Sequence, residues 1–193
     1  MGDGGKMLVI SGPSGSGKST IYKRLLEDPR VRLSVSATTR PRRPGEVDGR
    51  EYHFVTREWF LQQVKLGNFI EHAEVYGNMY GTLRVPMEEA LERGEVFLLE
   101  IDVQGALQLK ALDVPGVYVF VAPPDFEELR RRLVKRGTDA PEVVERRLAK
   151  AEDEFRERVK YDHVVVNDDL DRAVAEIRGI VGLQSPPDRE KRP

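Results

Sequence analysis

The 193-residue chain has no cysteine and only three histidines. Without thiols it can form no disulfide, no thiolate metal site and no cysteine nucleophile. His53, His72 and His163 are scattered without the spacing of metal ligands, so histidine offers no metal centre either. An excess of one charge is also missing: 31 Lys and Arg stand against 33 Asp and Glu, a formal net charge of -2. That argues against a nucleic acid as the main partner, although a chain that is 33% charged can still hold local basic clusters. No run of about eighteen apolar residues occurs, so no membrane-spanning helix is expected. The opening MGDGGK places Gly2 where a myristoyl group would attach, but Lys6 stands where Ser or Thr is required, and a signal-peptide apolar core is lacking. The expectation is a cytoplasmic protein without a membrane partner.

What is present begins with LVISGPSGSGKSTIYKRLL, residues 8–26. It fits the P-loop pattern GxxxxGK[ST]: an apolar strand, a glycine-rich turn and a helix with Ile21, Leu25 and Leu26 on one face. Gly12, Gly15 and Gly17 let the backbone turn so that several N–H groups converge on phosphate oxygens, and a helix opening near Gly17 adds its positive end. In such a loop Lys18 supplies a point charge to the β- and γ-phosphates, and the Ser19 hydroxyl ligates the Mg²⁺ that travels with a nucleoside triphosphate.

Length and pattern place this loop in an α/β fold. The chain is long enough for one domain with small inserted lobes. Apolar runs MLVIS, VRLSVS, EVFLLEID, GVYVFVA and HVVVND alternate with helical spacing at 87–93, 103–112, 126–136 and 169–181, which predicts a parallel sheet covered on both faces. Two stretches break the rhythm. Residues 34–85 hold short strands and turns around a helix that Thr56 can cap, which suggests a small α/β insertion. RGTDAPEVVERRLAKAEDEFRER is a helical segment rich in both charges. Arginines punctuate both: Arg40 and Arg43 in the first, Arg132, Arg136, Arg146 and Arg147 in or near the second. Beside a triphosphate site they are more than a solvated face, because phosphoryl transfer builds charge on oxygens that guanidiniums stabilise. The final QSPPDREKRP is polar and proline-containing and reads as a disordered tail.

SGPSGSGKST, SATTRPRRPGEVDGREYHF, FIEHAEVYGNMYGT, LLEIDVQGA, FVAPP, RGTDAPEVVERRL and VVVNDDLD, in this order, resemble the guanylate kinase family over nearly the whole chain. Many nucleotide triphosphatases share the P-loop, whereas the arginine-rich run and YGNMYGT are specific to this family. The resemblance implies a three-layer P-loop fold with a core at 6–33, 86–124 and 159–184, a GMP-binding lobe at 34–85, a lid at 125–158, and tails at 1–5 and 185–193. It implies transfer of the ATP γ-phosphate to GMP, yielding ADP and GDP in purine metabolism. Residue by residue, the loop Gly12, Pro13, Ser14, Gly15, Ser16, Gly17, Lys18, Ser19 and Thr20 would bind ATP, with Asn167 at adenine. Ser36, Glu71 and Thr82 match the guanine contacts. Arg40, Arg43, Tyr52 and Tyr80 match the binders of the GMP phosphate. Asp102 stands where the family has an acid near Mg²⁺ and the acceptor, and Arg132, Arg136 and Arg147 match the lid arginines that reach the transferring phosphates.

The chemistry agrees with these roles. Guanine presents N1–H and its N2 amino group side by side, so one carboxylate such as Glu71 can accept both and repels the N1 lone pair of adenine. Two arginines and two tyrosine hydroxyls suit a dianionic monophosphate, although Tyr52 and Tyr80 are also ordinary core residues. Asp102 can organise metal-bound water or merely cap the helix that begins at VQGALQ; its place at a strand's carboxyl end favours the former. No general base is needed, since the attacking phosphate is already ionised near neutral pH, its second pKa being about 6. A non-catalytic scaffold that binds phosphorylated proteins in the acceptor site would be expected to lose P-loop or lid residues, whereas Lys18, Ser19, Asp102 and the lid arginines are all kept. A kinase for another nucleoside monophosphate is opposed by Ser36 and Glu71.

Overall fold

The structure, a computed structural model, describes residues 4–75, 77–135 and 141–183. Arg136 and most of the expected tail residues lie outside that range. The larger of two sheets is five-stranded and entirely parallel, in the order β2 (Val31–Leu33), β7 (Val96–Glu100), β1 (Lys6–Ser11), β8 (Val117–Ala122), β9 (His163–Val166). Strands buried on both faces need apolar side chains on both, and β1 supplies them in Met7, Leu8, Val9 and Ile10. Leu8 and Ile10 pack with Ile21 and Leu25 of α1 (Lys18–Leu25) and with Val174 and Ile177 of α7 (Leu170–Val181). Met7 and Val9 point the other way, toward Met87 of α3 (Arg84–Glu92) and Val103, Ala106 and Leu109 of α4 (Val103–Ala111). The predicted three layers are thus formed, and β1 lies between β7 and β8 at their centre.

VRLSVS does not run as one strand. β2 stops at Leu33, and after a last bond from Ser34 N to Leu98 O (2.8 Å) the chain leaves for the second sheet. There β4 (His53–Phe54), β3 (Ala37–Thr38), β6 (Asn78–Leu83) and β5 (Phe69–Val75) lie in that order. Ala37 is the reason for the departure: it is buried with Phe60, Phe69 and Met79 in a separate small core, where the Phe60 and Phe69 rings stack 4.4 Å apart. α2 (Arg57–Lys65) covers this sheet, its first turn capped by Thr56 Oγ1, which accepts from Trp59 N at 3.2 Å.

A bulge ties the two sheets together. Phe69 pairs with Leu83, yet Glu71 pairs with Thr82, so β5 spends one residue more than β6. Phe69 therefore enters the small core while the next residue, Ile70, enters the core shared with α4. Near the other end of the chain α5 (Phe126–Lys135) and α6 (Pro141–Arg156) pair through Leu129 and Leu133 against Val144, Leu148 and Ala151.

Far from the carboxyl edge of the large sheet, Asp28 joins three elements. Its buried carboxylate accepts from Arg30 Nε (2.9 Å) and Nη2 (2.8 Å), from Arg30 N (3.0 Å), and from Arg178 Nη2 of α7 (2.7 Å). The Arg30 side-chain hydrogen bonds, with Arg178 alongside, hold this carboxyl at about 2, below its ordinary 3.8. The folded chain therefore keeps the charge at pH values where the unfolded chain has lost it, a contribution of about 2 kcal/mol above pH 4. Asp28→Asn should lower the urea midpoint at pH 7 accordingly. The gap to wild type should narrow as pH falls from about 4 toward 2, the interval set by these two pKa values. Chemical denaturation across this range checks both.

Candidate active site

β1 ends at Ser11, and the next residues turn sharply enough that Gly12, Gly15 and Gly17 all take positive φ (138°, 91° and 95°). At Gly17 the glycine is doubly required. A Cβ there would collide with Asn167 Nδ2 besides occupying a left-handed conformation. Gly17 caps α1, so the loop's N–H groups and the helix's positive end share one mouth. Lys18 Nζ folds back to donate to Gly12 O (2.7 Å) and Pro13 O (3.0 Å). Ser14, Ser19 and Thr20 are exposed at this mouth, while Pro13 and Ser16 are buried beneath it.

Two arms brace the loop from behind. Asn167, at the end of β9, donates from Nδ2 to Ser16 O at 2.8 Å. Arg132 of α5 donates to Asn167 O (3.0 Å) and Ser16 O (3.4 Å) and is steadied by Glu128 at 2.8 Å. With Gly15, Gly17, Thr20 and Leu170 these two residues line a cleft of about 430 Å³ on the far side of the loop.

The main cavity, of about 520 Å³, has the P-loop on one wall and the second sheet on the other. Glu71, Ser36, Tyr52 and Tyr80 reach it from that sheet and its loops, and Asp102 from the end of β7. The bulge delivers Glu71. Its Oε1 accepts from Thr82 Oγ1 at 2.7 Å, and Thr82 Oγ1 lies 3.3 Å from Ser36 Oγ, so three predicted base contacts form one hydrogen-bonded chain. Burial pushes the Glu71 carboxyl above the usual range; the Thr82 hydrogen bonds work against that shift, and the Asp102 charge adds to it. Asp102 Oδ1 accepts from Gly105 N at 2.8 Å, so the carboxylate caps α4 while also lining the cavity.

The predicted phosphate binders lie at one end of this space but not all on its wall. Tyr52 and Tyr80 meet edge to face, ring centres 5.9 Å apart. Arg40 stands beside the Tyr52 ring at 5.6 Å. Arg43 is exposed on the loop between β3 and β4, and Arg147 is half-buried on α6. Several lining residues escaped the sequence reading: Glu100, Gln104, Gln108, Lys150 and Glu154. Their signal was spacing. Gln104 and Gln108 are an i, i+4 polar pair on α4, and Lys150 and Glu154 follow Arg147 at i+3 and i+7 on one face of α6. Burial raises the Glu154 carboxyl, with the nearby Lys150 and Lys18 charges opposing it.

The family model for guanylate kinase matches residues 4–183. The chain belongs to the guanylate kinase family. It is 52% identical over 178 residues to a guanylate kinase of Symbiobacterium thermophilum, which covers 92% of this chain and 84% of that one. It is 50% identical over 177 residues to a guanylate kinase of Thermus thermophilus, covering 92% and 80%. The crystal structure of guanylate kinase from Anaplasma phagocytophilum superimposes with a TM-score of 0.72 at 37% identity, covering 96% of this chain and 89% of that one. The P-loop fold class and membership among nucleoside monophosphate kinases stand on these matches together with the sheet order.

In this guanylate kinase family member the half-buried Glu71 charge works against folding. Glu71→Gln keeps an oxygen for Thr82 and removes the charge, so it should raise the thermal unfolding midpoint at pH 7–8. Because burial raises the folded-state pKa, the wild type regains stability once it takes up the proton, and the advantage of Gln should vanish as pH falls to the ordinary value of 4.5. Thermal melts of both proteins over that range decide it.

Proposed function

We infer that this chain is an ATP:GMP phosphotransferase, producing ADP and GDP, and that it acts in the cytoplasm. One observation carries the reading: a triphosphate loop and a carboxylate suited to guanine face each other across a single cavity. Glu71 would accept N1–H and the N2 amino group, with Thr82 and Ser36 fixing its position through the hydroxyl chain. Arg40, Arg43, Tyr52 and Tyr80 take the acceptor phosphate, and Lys18 and the loop N–H groups take the ATP phosphates. Asn167 and Arg132 border the cleft we assign to adenine. Residues 34–85 then act as the GMP-binding lobe and 125–158 as the lid, with Arg132, Arg136 and Arg147 brought to the transferring phosphates on closure. Closure matters because water in an open site competes with GMP as acceptor.

The donor set suits Mg²⁺. It offers hard oxygens, Ser19 Oγ at the mouth and Asp102 nearby, and among the described residues no group of three or more His, Cys, Asp or Glu side chains would hold an ion alone. An ion bound mainly by triphosphate oxygens and water, with Ser19 as its protein ligand, fits that poverty. When bound it neutralises charge on the transferring phosphates.

Turnover follows from alignment. The cavity holds the acceptor oxygen and the γ-phosphate in one enclosure, and cationic groups stabilise the spreading charge. Lys18→Ala should remove most phosphoryl transfer yet leave GMP affinity nearly unchanged, since Lys18 serves the other nucleotide; coupled ADP release and calorimetry measure the two separately. Glu71→Gln should lower kcat/KM for GMP about 30-fold or more, the value of one lost charge-assisted hydrogen bond, and should narrow the preference over AMP. ADP release with GMP, AMP, CMP, UMP and dTMP in turn tests the substrate itself. Equal rates with AMP would overturn the guanine reading.

A further inference from the structure

Arg40 is gripped by its own loop. Its Nη2 and Nη1 donate to Glu46 Oε1 and Oε2 at 2.8 and 3.1 Å, and Nη1 donates again to Pro41 O at 2.7 Å. Glu46 Oε2 also accepts the backbone N–H of Arg43 at 2.7 Å. One carboxylate therefore ties together the two arginines assigned to the acceptor phosphate, and through the backbone of the second it sets the turn between them. The pair is largely shielded, with side chains 12% and 18% exposed, and the guanidinium lies near the Tyr52 and Phe54 rings at 5.6 and 5.7 Å.

A guanidinium carries five N–H donors in a rigid planar fork. Glu46 takes one from each terminal nitrogen, and Pro41 takes the other Nη1 hydrogen. Neither Glu46 nor Pro41 takes the Nε–H or the second Nη2–H, the side of the guanidinium left for Tyr80 and for a ligand. These two N–H bonds are parallel on one edge, the arrangement that meets two oxygens of a phosphate. Tyr80, which lines the main cavity, lies close enough to interact with the Arg40 side chain.

We propose that Glu46 is a positioning residue for the acceptor phosphate: it fixes Arg40 so that its Nε/Nη2 edge serves the phosphate, and it holds the Arg43 turn in register. The proposal rests on the acceptor-site reading above and adds to it a residue that does not itself touch the nucleotide. Gln at this position would turn an amide N–H₂ toward an arginine that has only donors, whereas Asp would keep the charge and retract it by one methylene.

The test compares wild type, Glu46→Gln and Glu46→Asp, titrated by calorimetry with GMP and with guanosine, which carries the same base and no phosphate. GMP affinity should fall about tenfold or more in the Gln variant and less in the Asp variant. KM for GMP should rise in parallel, while guanosine affinity and KM for ATP stay within about twofold, a change too small to be a lost charged hydrogen bond. Tighter GMP binding by Glu46→Gln would overturn the proposal, because the carboxylate would then be a competitor of the phosphate. Equal losses for GMP and guanosine with a lowered unfolding midpoint would also overturn it, because the role would then be structural. Failure of the wild type to phosphorylate GMP would strike the underlying reading instead, and is visible before any variant is made.

Discussion

A parallel sheet buried on both faces sends every strand's carboxyl end to the same edge. The rest of this molecule depends on that constraint. β1 delivers the P-loop there, β7 delivers Glu100 and Asp102, and β9 delivers Asn167. Because β1 is central, the loop has neighbours on both sides, and helices α1 and α5 can meet it from different directions. The contacts are close: Gly15 leaves room for Leu129 of α5, and Gly17 for Asn167. Glycine permits this close approach of backbone to side chain, and the hydrogen bonds of Lys18, Arg132 and Asn167 to loop carbonyls hold the loop in that shape.

The second sheet answers a different need. A phosphate cradle alone does not distinguish nucleotides, and on the function proposed above discrimination falls to a carboxylate held at a fixed distance from it. Fixing that carboxylate works against stability. Glu71 is partly removed from water, Thr82 donates its hydrogen bonds, and the Asp102 charge repels it. Such an arrangement persists because the surrounding cores over-determine it: Phe69 is anchored in one, Ile70 in the other, and Glu71 has no freedom left. Strain at the site is offset elsewhere, at places such as the Asp28 cluster, where the charge is fully paired and its pKa lowered.

The same logic separates the two anionic ends of the substrates. On the function proposed above, Lys18, the loop N–H groups and the start of α1 serve one nucleotide, while Arg40 and its tyrosine neighbours serve the other. Glu46 binds the Arg40 guanidinium and the Arg43 backbone N–H on one short loop. Across the cavity, α6 contributes Lys150 and Glu154, a pair of opposite sign.

Much of this was legible in the chain itself. GPSGSGKS specifies its own turn, since its glycines alone tolerate the required φ values, and runs such as MLVI specify doubly buried strands by having no polar face. Thr56 and Asp102 as helix caps are equally local, a side-chain oxygen three residues ahead of the N–H it accepts. The resemblance of the arginine-rich run and YGNMYGT named the family to which the chain belongs. Other features required the fold. VRLSVS has strand character throughout, and only the pull of Ala37 into the small core divides it between sheets. The bulge at Ile70 is invisible in FIEH, because a bulge belongs to a pair of strands and is set by which core each residue can reach. Asn167 on Ser16 and Arg132 on Asn167 join positions 151 and 35 residues apart. Local sequence fixes torsions and periodicity, whereas contacts at such separations exist only after the sheet has ordered its strands; the chain by itself therefore determined the phosphate loop and the layers, and packing alone decided which side chains face it.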